Sequence, residues 1–208
     1  MPKIIYKQQH VGDNGRKFSA SRNSHYVKYI GEREHVLKSS HETNLVKYMG
    51  EREHAAKFDN ADHTIDYDIT GKHAADNMAE YNNGLFGYIN GKFSDKYSTS
   101  EMQKYVRKIS TPHRNVFHSV FSFTPESAVE AGLNTLDDWE NWVKYHISDI
   151  ANCMNMKIEN IEYLAAVHLK EGQPHVHIIW WDKQQQVLIN KVDPIVCDNI
   201  RIAAIKST

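Results

Sequence analysis

The run Ala165-Ala166-Val167-His168-Leu169-Lys170-Glu171-Gly172-Gln173-Pro174-His175-Val176-His177-Ile178-Ile179 decides the fold. Ile161 to His168 and His175 to Trp181 read as two strands, and Lys170 to Pro174 as the tight connection between them. Successive side chains of a strand point to opposite faces. His175 and His177 therefore share a face, with Val176 buried behind them. The Glu171-Gly172-Gln173-Pro174 turn brings His168 opposite or diagonal to His175, within cross-strand reach. Three imidazoles from one hairpin suit one divalent cation. Three neutral ligands leave coordination positions open, as a Lewis-acid site needs. Spacing alone does not name the chemistry: a carbonic-anhydrase-like, cupin-like or phosphodiesterase site shares it.

Working outward, Val116 to Phe123 alternates and is rich in aromatics, the mark of a strand. Pro125 opens a short helix ending at Gly132. From Asp137 to Met154 the apolar residues Trp139, Trp142, Val143, Ile147, Ile150 and Ala151 recur at helical spacing, giving one buried face. Asp193-Pro194 opens a last helix through about Ala204, and Ser98 or Thr99 caps a helix through Lys108. At the N-terminal end, residues 2–7 read as a strand and Ser21 onward as a helix, with Gly12 to Gly15 a turn. Residues 59–83 are polar and read as loop, followed by a short apolar segment from Leu85 to Ile89. The order predicts an α+β fold, a mainly antiparallel sheet with helices packed on one side, as a single domain over 1–208.

An internal echo complicates the first helix. Tyr26-Val27-Lys28-Tyr29-Ile30-Gly31-Glu32-Arg33-Glu34-His35 and Leu45-Val46-Lys47-Tyr48-Met49-Gly50-Glu51-Arg52-Glu53-His54 agree at eight of ten positions. A helical hairpin turning near Lys38-Ser39-Ser40 is the expected arrangement.

Composition narrows the class. No apolar run approaches the ~20 residues of a membrane span, and the start lacks a signal-peptide layout. Two cysteines, neither in a CxxC, suit a reducing cytoplasm. The net charge of −1 argues against an indiscriminate nucleic-acid binder. Yet residues 1–50 carry nine Lys/Arg against four Asp/Glu, while 126–162 carry two Lys against eight Asp/Glu. A basic front and an acidic back let one face meet a polyanion. Of thirteen histidines, only the hairpin cluster has organised spacing; His10, His25, His63 and His73 are scattered.

His175-Val176-His177-Ile178-Ile179 resembles the His-hydrophobe-His strand of the HUH endonuclease superfamily. The wider run from Ala165 to Ile178 resembles motif three of mobilisation relaxases of the MobP/MobL type. Phe117 to Trp142 resembles that family's central strand and following helix. Tyr26 to Glu34 resembles its motif one, and Asn83-Gly84-Leu85-Phe86-Gly87 a further landmark. The likeness spans nearly the whole chain and implies the relaxase fold of that superfamily, a ferredoxin-like sheet. Such relaxases are usually longer, so the chain is expected to be a catalytic domain cut from a larger protein.

The resemblance implies site- and strand-specific nicking of single-stranded DNA at a transfer origin, with His168, His175 and His177 holding Mn²⁺ or Mg²⁺, or alternatively Zn²⁺. A tyrosine attacks the phosphorus and leaves a 5′-phosphotyrosine and a free 3′-hydroxyl. Tyr29 is the favoured nucleophile, because the family places its tyrosine on the first helix; Tyr48 is the second candidate through the echo, and Tyr26 a third. Lys28, Arg33 and Trp181 are expected at the DNA, Trp181 as a stacking platform on the histidine side of the strand. Accessory mobilisation or conjugation proteins are the expected partners, in the cytoplasm. The sequence departs from the family in having Leu169 where an Asp often follows the first histidine. An acidic role there is absent or passes to Glu171 or Asp182. A replication initiator or transposase of the same superfamily, and a non-catalytic zinc-stabilised DNA-binding module, are the alternative readings.

Overall fold

In the computed structural model, residues 4–11, 18–33, 36–37, 84–110, 114–169, 173–184 and 192–206 are described. Six strands form one sheet: β1 (Ile4–Val11), β2 (Phe86–Ile89), β3 (Lys92–Ser94), β4 (Val116–Phe123), β5 (Ile161–His168) and β6 (His175–Asp182). Their spatial order is β1-β4-β6-β5-β2-β3, and every pairing is antiparallel. Among the described residues the helices are α1 (Phe18–Glu32), α2 (Thr99–Ile109), α3 (Pro125–Glu130), α4 (Leu136–Cys153) and α5 (Pro194–Lys206), with a 3₁₀ turn at Ile158–Asn160. The α+β class and antiparallel sheet match the sequence reading.

The helix starts arise from local chemistry. Ser98 caps α2, its hydroxyl accepting from the Glu101 amide. Thr124 caps α3 with Pro125 in the first turn. Thr135 and Asp138 form a reciprocal capping box on α4, which satisfies two amides that otherwise have no partner in a first turn.

The helices occupy both faces of the sheet rather than one. Strands β5 and β6 explain why: all eight residues of β5 are buried, as are six of the eight in β6. A strand buried on both faces needs cover on both. Tyr163, Ala165, Val167, Ile178 and Trp180 point into one core, with Phe121, Trp139, Trp142 and Ile150; there α3, α4 and α5 supply the cover. Leu164, Ala166, Ile179 and Trp181 point into a second core, with Val27 and Ile30 of α1 and Val106 and Ile109 of α2. Periodicity gives each strand's alternation but not whether its second face is wet.

After α1 the chain meets the sheet before the expected hairpin turn is reached. It leaves the helix at Arg33 and runs alongside β5: Val36 bridges to His168, and the Leu37 amide donates to the Val167 carbonyl at 2.8 Å. The turn expected at 38–40, the second copy of the echo at 45–54, the turn at 12–15 and the loop at 59–83 lie outside the described residues.

Gly31 sets the distance of α1 from the sheet. A Cβ there would lie 2.6 Å from Cγ of Leu85, the residue leading into β2. Only a glycine lets the helix seat this closely.

Among the described residues, no helix is long and apolar enough to cross a membrane.

Candidate active site

The β5–β6 hairpin builds the site as parity requires. His168 is the register partner of His175, and His177 pairs with Ala166 one step inward. All three rings emerge on the face covered by α1. Their centres lie 5.3 Å (His168–His175), 4.7 Å (His168–His177) and 5.0 Å (His175–His177) apart. One nitrogen from each falls within 4.8 Å of the others, so small ring rotations bring three nitrogens onto one ion at ~2.0–2.2 Å.

The surroundings orient these rings. Nε2 of His168 donates to the Ile30 carbonyl at 2.9 Å, so that ring carries its lone pair on Nδ1. Nδ1 of His175 donates to the Gln173 carbonyl at 2.7 Å, which puts the lone pair on Nε2. Nδ1 of His177 lies 2.8 Å from the Tyr26 hydroxyl. Its Nε2 is buried and has no hydrogen-bond partner. A buried nitrogen left in that state costs on the order of 1–3 kcal/mol; a cation among the three rings would satisfy it. The residues therefore fit a metal.

Electrostatics keep the His177 ring neutral, as ligation requires. Burial, and then the positive charge that His168, His175, Arg33 and His118 would place beside it, push His177 down from 6.5 to about 2. His177 thus resists a proton. His168 and His177 are buried and His175 is half-exposed, so the cluster opens towards solvent on the His175 side.

Tyr29 stands over this opening. It is 43% exposed, and its ring centre lies 5.9 Å from that of His177 and 6.3 Å from that of His168. Arg33, one turn later, donates from Nη1 to the Tyr29 hydroxyl, and its Cζ lies 4.7 Å from the ring centre. Tyr26, one turn earlier, is half-buried; its ring stacks on His118 at 3.9 Å, and desolvation raises its hydroxyl well above the usual range.

The other expected residues divide. Tyr48 and Glu171 lie outside the described residues. Lys28 is exposed and reaches Glu32 at 3.8 Å. Trp181 points to the histidine side as expected, but it is 0% exposed, sits against Tyr105, and donates from Nε1 to Glu162 at 3.1 Å. A base cannot stack on a ring that α1 and α2 already cover, so the platform role is corrected to core packing. Asp182 closes β6 at the end opposite His175, in register with Ile161, and its parity is that of the other face. It is no partner for the triad. Leu169 points into the far core, away from the imidazoles. Sequence reasoning does not give Tyr26 as a contact of His177; its i−3 spacing from Tyr29 is the available signal.

Charge divides in the same way. Helices α1 and α2, on the site face, carry five Lys/Arg against two Glu; α3 and α4, on the far face, carry six Asp/Glu against one Lys. On α2, Lys104, Arg107 and Lys108 form one exposed stripe.

A single antiparallel sheet covered on both faces, with three imidazoles and an accessible tyrosine at the end of its central strands, defines an α+β protein with a histidine-triad centre. The family model of the MobL relaxases matches residues 1–189, and the chain belongs to that family. Membership implies DNA relaxase function, a DNA-nicking enzyme that binds single-stranded DNA. No curated protein and no solved structure matches the chain.

Proposed function

We propose that this chain nicks and rejoins single-stranded DNA at a transfer origin by transesterification onto Tyr29. The observation that carries the reading is the placement of Tyr29: an exposed phenol beside three clustered imidazoles, its hydroxyl held by a guanidinium.

His168, His175 and His177 would hold a divalent ion, Mn²⁺ or Mg²⁺ in preference to Zn²⁺. When bound, such an ion polarises phosphoryl oxygens and offsets their developing charge. The chain's own residues do the rest. Arg33 donates to the Tyr29 oxygen and would offset charge that develops around it during attack. The Tyr29 oxygen attacks phosphorus; a bond from phosphorus to the phenol oxygen forms and the bond to the 3′ oxygen breaks. The phenol proton goes to solvent, and the departing 3′ oxygen takes one up. The product is a 5′-phosphotyrosine with a free 3′-hydroxyl. It conserves the phosphodiester energy, so the same steps in reverse rejoin the strand. The cationic face of α1 and α2 supports an incoming backbone from that side. Accessory mobilisation proteins would present the origin as a single strand.

The test is adduct formation. The chain is incubated with Mn²⁺ and a pool of random-sequence single-stranded oligonucleotides, and DNA-linked protein is resolved under denaturing conditions. A covalent band that disappears in Tyr29→Phe supports the reading. A band that survives in Tyr29→Phe moves the nucleophile elsewhere, to Tyr48 if Tyr48→Phe removes it. Tight Zn²⁺ binding with no adduct would favour a structural metal.

A further inference from the structure

We propose that Tyr26 is a positioning residue for His177: its hydroxyl accepts the Nδ1 proton and holds Nε2 as the ligating nitrogen, the task a carboxylate usually performs beside a metal-bound histidine. This rests on the triad holding a cation.

The geometry is local and directional. The Tyr26 hydroxyl lies 2.8 Å from Nδ1 of His177, and the ring's other nitrogen is the buried one without a partner. An imidazole that ligates through Nε2 carries its proton on Nδ1 and needs an acceptor there. Tyr26 supplies that oxygen. The charges bearing on His177 come from His168, His175, Arg33 and His118, all cationic when charged. Leu169 faces the far core and Asp182 lies at the opposite strand end, so neither replaces the phenol.

Tyr26 is itself held. Its ring stacks face to face on His118, at 3.9 Å and 9° between planes. Nε2 of His118 donates to Oδ1 of Asn23 at 3.1 Å. Asn23 donates from Nδ2 to the Ser110 hydroxyl at 2.9 Å, and that hydroxyl donates to the Val106 carbonyl at 2.7 Å. The donor directions are consistent along the whole chain, because the last acceptor is a carbonyl. They assign His118 the Nε2–H tautomer. Asn23, Ser110 and His118 are all buried. A fully satisfied buried chain of this kind has one low-energy arrangement, and it ties the C-terminal end of α2 to the orientation of a ligand on β6.

A neutral phenol differs from a carboxylate in one respect that matters here. It fixes the tautomer without adding negative charge, so a bound cation keeps its full pull on a phosphate oxygen.

The experiment separates this role from catalysis by reading metal binding without DNA. Mn²⁺ affinity is measured by calorimetry for wild type, Tyr26→Phe and Tyr29→Phe. The Nδ1 proton of His177 is observed by NMR in the Zn²⁺-loaded wild type, which needs no variant. The expected results are an Nδ1–H slow to exchange with water, Mn²⁺ affinity about tenfold weaker in Tyr26→Phe, and unchanged affinity in Tyr29→Phe. Raising Mn²⁺ should restore the DNA adduct in Tyr26→Phe and never in Tyr29→Phe. Unaltered Mn²⁺ affinity in Tyr26→Phe, or an Nδ1 proton that exchanges freely in wild type, overturns the proposal. So does an adduct that Tyr26→Phe abolishes at every Mn²⁺ concentration, which would make Tyr26 the nucleophile. A wild-type chain that binds neither ion overturns the metal reading itself.

Discussion

Tyr29 and His177 face each other across the gap between α1 and β6, with ring centres 5.9 Å apart and planes at 81°. One ring is held by a helix and the other by the sheet, so their spacing depends on how closely α1 seats. Gly31 and Leu85 control that seat, because the helix backbone touches the Leu85 side chain where any other residue would carry a Cβ.

Gly31→Ala tests this contact. Alanine in a helix gains about 1 kcal/mol over glycine, while overpacking a filled site costs about 1–3 kcal/mol. The expected outcome is a net loss of about 1 kcal/mol in chemical denaturation, together with slower adduct formation. In a Leu85→Val background the added methyl should be tolerated better, and the two substitutions should be non-additive. Simple additivity would show that the contact does not set the helix position.

Arg33 is expected to act on rate rather than on folding. It is exposed and donates to the Tyr29 hydroxyl. Arg33→Ala should slow adduct formation by roughly 10²-fold, the order for losing one donor to a developing charge, with little change in melting temperature. Arg33→Lys should recover part of the rate, as a charge without the planar fork. Single-turnover kinetics at saturating DNA give the comparison; equal rates for wild type and Arg33→Ala would remove Arg33 from the reaction.

Acid should unfold the metal-free protein earlier than carboxylates alone would. Burial, and then the charge of Arg22, hold His118 down at about 3 against 6.5. The unfolded chain therefore takes up a proton at His118 below pH 6.5 that the folded chain refuses until about pH 3. Stability from this group is complete above 6.5 and falls progressively as pH drops towards 3, by on the order of a few kcal/mol. Urea denaturation between about pH 7 and 5 should show this slope in wild type and a shallower one in His118→Gln. An NMR titration placing His118 near its ordinary value in the folded state would contradict it.

The α2 stripe should govern DNA affinity without governing chemistry. Replacing Lys104, Arg107 and Lys108 together by Gln removes three exposed cations from the site face. If each neutralises a phosphate, the slope of log K against log salt should become shallower by about 2, from roughly 0.7 per contact on single strands. Glu126→Gln with Glu130→Gln, on the far face, should leave the slope alone. Fluorescence anisotropy over a salt series reads both, and an unchanged slope in the triple variant would place the DNA elsewhere.

Chelation and the triad variants give the last expectation. A cation that binds only the folded site stabilises it by about 2.7 kcal/mol at one hundred times its dissociation constant. Mn²⁺ should raise the melting temperature of wild type and not of His177→Ala, and a chelator should reverse the shift. A melting temperature indifferent to Mn²⁺ and Zn²⁺ would count against a metal at these rings.

The hairpin was legible from Ala165 to Ile179 because a two-residue period and a Gly-Pro turn are local properties of the chain. They determined the strands, the shared face of His168, His175 and His177, and the burial of Val176 behind them. The amphipathic face of α4 and the Ser98 cap of α2 were equally local. Tertiary structure decided the rest. Trp181 has the right parity for a DNA platform, yet only the packing of α1 and α2 over it shows that it is core. Asp182 is close to the histidines in sequence and far along the strand. The contact of Tyr26 with His177 spans 151 residues, and no periodicity encodes such a pairing. Spacing along a chain specifies directions of side chains; which of them meet depends on how separate elements stack, and that is settled by the burial of both sheet faces together.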